Sequence, residues 1–139
     1  MKSGLTTQPN KYTKVYGYIT YQLNEEQEHT LKDWPNYHLT PSGAGLLSAT
    51  NTQDKIAIHL TFPKDLKPGN EYTLEFDEFS EVPYRWVLHK DEKMYEAGFG
   101  KMTIRIKDDG NVVEGNYSFN TKSKIYSLKG EFWFENTHQ

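Results

Sequence analysis

The chain has 139 residues, a formal net charge of −3 and no cysteine. Its length predicts one domain, and the absence of cysteine excludes a disulfide scaffold, a thiol nucleophile and a cysteine-type zinc site. The even mixture of charges argues against a general nucleic-acid binder, which would gather its basic residues on one face. Aromatic residues make up 14% of the chain and all hydrophobic residues 35%, so we expect aromatic rings to supply much of the core.

The polar residues 1–11 predict a flexible N-terminal leader, and residues 12–136 predict a single β domain. The leader lacks the apolar run of a signal peptide, and no segment is apolar for long enough to predict a transmembrane helix. We therefore expect a cytoplasmic protein if Met1 is the native start. We expect an exported or lipid-anchored protein if a leader has been removed.

Residues 12–22 are rich in β-branched and aromatic side chains and predict a strand. Val15, Ile19 and Tyr21 fall on one side of it, and Tyr16 and Tyr18 fall on the other. Because both sides carry rings, we expect this strand to be covered on both faces or to line a groove.

Residues 23–41 form the least regular segment of the sequence. Asn24 followed by Gln27 resembles a capping box, which favours one short helix near residues 24–34 that ends at Pro35. The alternative is a long excursion that packs Trp34 over one end of the sheet.

Alternating strands with turn residues between them fill the remainder of the chain. The predicted strands cover residues 46–50, 56–62, 71–77, 84–88, 94–97, 101–107, 113–119 and 125–135. Asp108–Gly110 and Asn111 give a strong hairpin signal. About eight or nine short strands with short connections predict an all-β protein, namely an antiparallel β-sandwich; the alternative is a small closed β-barrel.

The outward residues of segments 71–77 and 101–107 are opposite in charge and would form a charge ladder if the two strands pair. Paired carboxylates at Glu75 and Asp77 could instead serve acid–base catalysis. Nothing near these two residues suggests desolvation, so we favour the solvated ladder and expect no enzyme activity.

Five histidines are scattered along the chain, and none has a metal-ligand spacing such as HxH or HExxH. His59 and His89 both fall on outward positions of predicted strands. They could meet and bind a metal if those strands are neighbours; otherwise they are two solvent-facing imidazoles. We favour the second interpretation and expect neither a metal nor a cofactor.

The aromatic residues outside the core rows give the best indication of function. Exposed rings bind sugars by stacking or bind protein partners as hot spots. We predict a non-catalytic binding module for a protein or glycan surface, with five candidate contacts: Tyr16, Tyr18, Trp34, Tyr37 and Trp133. In the alternative arrangement, the rings of Tyr16, Tyr18 and Trp133 are buried beneath segment 23–41, where Trp34 and Tyr37 cover them.

A different class of function is a lipocalin-like barrel that carries a small apolar ligand. Such a carrier needs a continuous interior cavity lined by small side chains. The inward rows of this chain are instead bulky, as in Ile58, Leu60, Phe62 and Phe76, which favours a filled core.

From Leu46 onwards the chain is similar to a known family in the order of its strand and turn motifs. The motifs are SATN, IAIHLTFP, PGNEYTL, MTIRI, VEGNYSF and KGEFWF. They resemble a β-rich domain of unknown function found in small bacterial lipoproteins and secreted proteins. The resemblance implies a β-sandwich or β-barrel module without a known activity, so it assigns no functional residues. The chain departs from the lipoprotein pattern because it lacks the apolar signal peptide and the lipobox cysteine of that pattern.

Overall fold

A computed structural model describes residues 13–39, 44–63 and 66–138. The predicted leader, residues 1–11, lies outside these ranges. The described residues form ten strands: β1 (Thr13–Leu23), β2 (Glu28–Leu31), β3 (Asp33–Leu39), β4 (Ala44–Asn51), β5 (Ile56–Pro63), β6 (Glu71–Asp77), β7 (Trp86–Lys90), β8 (Lys93–Lys107), β9 (Val112–Thr121) and β10 (Ser127–His138). The helical part of these ranges is a 3-10 turn at Asp108–Gly110 in the β8–β9 connection, and no helix there is long and apolar enough to cross a membrane.

All the strand pairs are antiparallel and follow the order β2-β1-β10-β9-β8-β7-β5-β4-β3, with β6 added beside β8. The strands β2 and β3 are the two ends of this path, so the sheet is not closed. The all-β, sandwich-like prediction is confirmed, and the closed-barrel alternative is not what forms.

The fifteen-residue strand β8 divides the sheet into two halves. The first half contains β2, β1, β10, β9 and β6, and the second half contains β7, β5, β4 and β3. Its first residues pair with β7, and its residues from Phe99 onwards pair with β6 and β9. A register shift between Ala97 and Phe99 marks the change. What the sequence predicts as two strands is therefore one bent strand that belongs to both halves.

Aromatic rings hold the inner faces of the two halves together. The fully buried Trp86 of β7 lies 5.8 Å from Phe76 of β6 and 6.3 Å from Phe119 of β9, measured between ring centroids. These contacts join the two halves across the core, as in a β-sandwich. The predicted inward rows of β5, β8, β9 and β10 are buried there, so the expectation of an aromatic-rich core is confirmed.

The predicted helix near residues 24–34 is wrong, because this segment forms a turn and the strands β2 and β3. Asn24 and Glu25 both have positive φ, the pattern of a type I′ hairpin turn, and the Glu26 N–H donates to the Leu23 carbonyl. The Asn24 side chain accepts a hydrogen bond from the Ser127 N–H at 2.8 Å. Asn24 therefore links the turn to β10 by a hydrogen bond instead of capping a helix.

The strand β3 is irregular at its beginning. Trp34 has φ 53°, and the pairing with β4 shifts register between Asp33 and Asn36. Pro35 lies in this interval and has no N–H to donate to a strand ladder. Because a non-glycine residue rarely adopts a positive φ, the bulge sets the direction in which the Trp34 ring leaves the strand.

Candidate functional site

The outer face of the first half of the sheet presents side chains in rows that cross the strands. One row runs through directly opposed residues of β6, β8, β9, β10 and β1: Glu71, Arg105, Glu114, Trp133 and Tyr18. At a strand spacing of about 4.8 Å this row spans about 19 Å. We call this face the polar face, because its next row contains Thr73, Thr103, Asn116 and Glu131.

Two aromatic rings form one end of this row. Tyr18 and Trp133 are directly opposite each other on β1 and β10, and their rings stack at 30° with centroids 6.3 Å apart. Tyr18 is 37% exposed, and Tyr16, two residues earlier on the same side of β1, is 50% exposed. The structure therefore places three of the predicted contacts on one face: Tyr16 and Tyr18 expose ring surface, and Trp133 is half-buried beside Tyr18.

Trp34 and Tyr37 do not cover these rings as the alternative arrangement expects. Trp34 is 76% exposed and is not among the residues that line the surface grooves beside Tyr18 and Trp133. Tyr37 is 2% exposed, and its hydroxyl donates a 2.5 Å hydrogen bond to the Gly110 carbonyl. Burial raises the pKa of Tyr37 to about 12. The prediction that Tyr37 contacts a ligand at the surface is therefore wrong, since Tyr37 belongs to the core.

The ring pair forms part of the wall of a groove of about 330 Å³ on the polar face. Charged and amide side chains line the remainder of this groove: Glu71, Arg105, Glu114, Asn116 and Glu131. A second groove of about 560 Å³ lies beside it and shares Thr103, Asn116 and Glu131 with the first. Because they share these lining residues, the two grooves lie side by side across the strands, and we call them together the depression.

Ion pairs orient the charged groups at the groove. The Arg105 guanidinium lies 3.2 Å from a Glu71 carboxylate oxygen, and the Lys107 ammonium lies 3.5 Å from a Glu114 oxygen. These groups are about half exposed, so the pairs contribute little to stability. The Arg105–Glu71 pair places a guanidinium and a carboxylate side by side at the first groove.

The predicted charge ladder between segments 71–77 and 101–107 is confirmed. Glu71 faces Arg105 and Glu75 faces Lys101 in the β6–β8 pairing. Asp77 accepts a hydrogen bond from the Phe79 N–H at 2.9 Å. Each of these carboxylates thus faces a basic residue or accepts a backbone hydrogen bond.

His59 and His89 lie next to each other on the outer face of the second half of the sheet. Their strands, β5 and β7, are paired, and the ring centroids are 4.8 Å apart. Burial lowers the pKa of His59, and the neighbouring His89 lowers it further. The condition set by the sequence analysis for a metal site, that the two strands be neighbours, is therefore met.

Comparison of this chain with known protein families, curated proteins and solved structures finds no match. The resemblance to the domain of bacterial lipoproteins therefore gains no support and stays a hypothesis. The geometry of the polar face and of the histidine pair is what bears on function.

The polar half of the candidate site could not be predicted from the sequence. Arg105, Glu114 and Asn116 stand beside the ring pair only because the β8–β9–β10–β1 register aligns them. Alternation predicts that Arg105 faces outward, but alternation does not give the register between strands, and register is what brings these residues together.

Proposed function

We propose that this protein is a non-catalytic binding module that recognises a neutral glycan on its polar face. The observation that carries the proposal is the stacked pair of Tyr18 and Trp133 at the wall of a groove lined by amide, hydroxyl and charged groups. A pyranose ring has an apolar C–H face that packs on aromatic rings. Its hydroxyl groups both donate and accept hydrogen bonds, and therefore match a surface that carries both kinds of partner.

The charges that line the first groove favour a neutral ligand over an acidic one. The second groove carries Lys101 and Lys129 together with Glu28 and Glu131, so its charges are balanced. Arg105 is the basic residue that lines the first groove, and it is paired with Glu71 and faces Glu114. An anionic sugar would meet these carboxylates and that of Glu131 at short range, which is unfavourable. A neutral chain can instead accept hydrogen bonds from Asn116 and Arg105 and donate to the carboxylates.

The side-by-side arrangement of the two grooves favours an extended ligand over a single sugar. The depression crosses several strands, from the ring pair towards Lys101 and Gln22. Its floor is a paired sheet, and the backbone below it is therefore held rigidly. A rigid site of this kind loses little conformational entropy when it binds a ligand.

The apolar carrier has less support. The interior between the two halves is filled by large side chains such as Trp86, Phe62 and Phe132, and the grooves considered above lie on an outer face. A protein partner remains the principal competitor, since exposed aromatics also serve as hot spots.

An array of neutral and acidic oligosaccharides tests the proposal with four proteins: wild type, Trp133→Ala, Tyr18→Ala and Trp34→Ala. We expect wild type to bind neutral oligosaccharides and each groove variant to bind them at least about tenfold more weakly, because each loses a stacking surface. Trp34→Ala is the matched control, since it removes an exposed tryptophan outside the grooves, and it should bind as wild type does. Circular dichroism must show that all four proteins are folded.

Three outcomes would overturn the proposal. The first is a wild-type protein that binds no neutral oligosaccharide, and the second is a Trp133→Ala protein that binds as tightly as wild type. The third is an equal loss of binding in the Trp34→Ala control, which would move recognition away from the polar face.

A further inference from the structure

The histidine pair on the second half of the sheet has the separation that two ligands of one metal ion require. A coordinating nitrogen lies about 2.0–2.1 Å from the metal and about 1.1 Å from its own ring centre, so two such ring centres are at most about 6 Å apart. The centroids of His59 and His89 are 4.8 Å apart, with the ring planes at 65°. Both rings are half-buried on the outer face of paired strands.

A third donor stands on the next strand. Met94 of β8 is directly opposite His89 in the β7–β8 pairing and is 60% exposed. Directly opposed residues of antiparallel strands have Cβ atoms about 4.5–5.5 Å apart. His59 and Met94 lie on the two strands that flank β7, so a metal ion above β7 beside His89 would be approached from both sides. The methionine side chain has three rotatable bonds, which let its sulfur turn towards that position.

A carboxylate of the neighbouring strand β8, that of Glu96, is otherwise engaged. Glu96 faces Val87 rather than either histidine, and it forms ion pairs with Arg85 and Lys122. In the part of the chain that the structure describes, no three residues among histidine, cysteine, aspartate and glutamate form a metal-binding group. The donor set at this place is thus two imidazoles and one thioether.

We propose that His59, His89 and Met94 form a binding site for Cu(I). Thioether sulfur is a soft ligand that selects Cu(I), and imidazole also suits copper. Mg²⁺ and Ca²⁺ require oxygen ligands, and Zn²⁺ sites usually contain cysteine, histidine or carboxylate ligands in greater number. This site is separate from the polar face and does not depend on the proposed glycan binding.

Competition for Cu(I) against a chromophoric Cu(I) chelator, under anaerobic conditions, tests the proposal on the full chain. We expect one Cu(I) per protein. His59→Gln and His89→Gln should each weaken Cu(I) binding at least about tenfold, because each removes one of three ligands. His38→Gln is the control, since His38 is an exposed histidine on β3 that contacts Asn36, and it should bind Cu(I) as wild type does.

Met94→Leu separates the copper proposal from a general affinity of imidazoles for metals. This change conserves volume, so the fold should be retained. It should weaken Cu(I) binding at least about tenfold while leaving any weak Zn²⁺ binding unchanged, because thioether selects Cu(I) over Zn²⁺. X-ray absorption on the wild-type protein loaded with Cu(I) gives a second measurement that needs no variant, and we expect a sulfur ligand beside nitrogen ligands.

The proposal fails if wild type does not bind Cu(I) at one per chain, or if His89→Gln binds as wild type does. It also fails if Zn²⁺ binds as tightly as Cu(I), or if the absorption spectrum shows no sulfur ligand.

Discussion

At the scale of single residues, several glycines make room for aromatic rings. Five strand glycines each stand directly opposite an inward aromatic residue: Gly17 opposite Phe134, Gly45 opposite Phe62, Gly100 opposite Phe119, Gly115 opposite Phe132 and Gly130 opposite Tyr117. A Cβ atom on Gly45 would lie 2.2 Å from Cζ of Phe62, far inside van der Waals contact. The high aromatic content of the sequence is therefore matched by glycines that accommodate the rings.

We predict that Gly45→Ala destabilises the protein by about 1–3 kcal/mol, because the added methyl group overlaps the fully buried Phe62 ring. The atoms that a Cβ on Gly45 would approach most closely all belong to this ring. Combining Gly45→Ala with Phe62→Leu should therefore cost less than the sum of the two single changes. Urea unfolding of wild type, the two single variants and the double variant measures these free energies of unfolding. Strict additivity of the two changes would contradict the explanation.

Tyr37 leads to a prediction about alkaline stability. Its pKa is near 10.0 in the unfolded chain and about 12 in the folded protein. The native state thus favours the protonated phenol. The stabilising effect is fully present below pH 10, and it is lost as the pH rises towards 12.

The Tyr37→Phe variant tests this assignment. At pH 8 we expect it to be less stable than wild type by about 1 kcal/mol, because the hydrogen bond to the Gly110 carbonyl is lost. At pH 11 the difference should shrink, since phenylalanine does not ionise in the unfolded chain. At pH 11 both proteins still lose part of their stability through other buried phenols such as Tyr117, whose pKa is also raised by burial. A difference that is the same at both pH values would refute the prediction.

At the scale of the elements, the β1–β2 hairpin shows why one segment was assigned wrongly from sequence. An asparagine followed by acidic residues is typical of a helix N-terminus. The same residues are also compatible with an exposed hairpin turn. The contact that decides between them is the hydrogen bond from the Ser127 N–H to Asn24, about a hundred residues along the chain. Local pattern cannot contain that contact.

The same turn gives a testable change. Glu25 has φ 64°, a conformation that costs a non-glycine residue about 1 kcal/mol, and asparagine followed by glycine is the preferred sequence for such a turn. Glu25→Gly should therefore raise stability by about 0.5–1 kcal/mol, measured as an increase in Tm. Glu26→Gly, at a position that lacks the positive φ, serves as the control and should lower Tm; a fall in Tm for Glu25→Gly as well would exclude the turn assignment.

At the scale of the whole molecule, much of the fold follows from alternation and turn residues. The inward residues of β5 (Ile56, Ile58, Leu60 and Phe62) and of β8 (Met102, Ile104 and Ile106) are buried where the alternating pattern predicts them. Alternation along a strand and burial of one face go together, so this part of the fold is predictable. The path of β8 through both halves of the sheet was not predictable, since the glycines near Phe99 interrupt the pattern and indicate two strands. Of the candidate site, the exposed rings were predicted, whereas their polar neighbours depended on register.

The bent strand β8 also links the two proposed sites. Its first part carries Met94, and its last part carries Thr103 and Arg105 of the polar face. The two sites lie on opposite halves of the sheet and share no side chain. Each can therefore be removed by substitution while the other serves as an internal measure of correct folding.

The irregular start of β3 has a consequence for self-association. An exposed edge strand is a template on which a strand of another molecule can pair, and such growth leads to aggregates. At this edge the ladder is broken by the positive φ of Trp34 and by Pro35, which offers no N–H donor. A second chain that approached the start of β3 would find an interrupted row of partners, so the bulge protects this part of the open end of a sheet that does not close on itself.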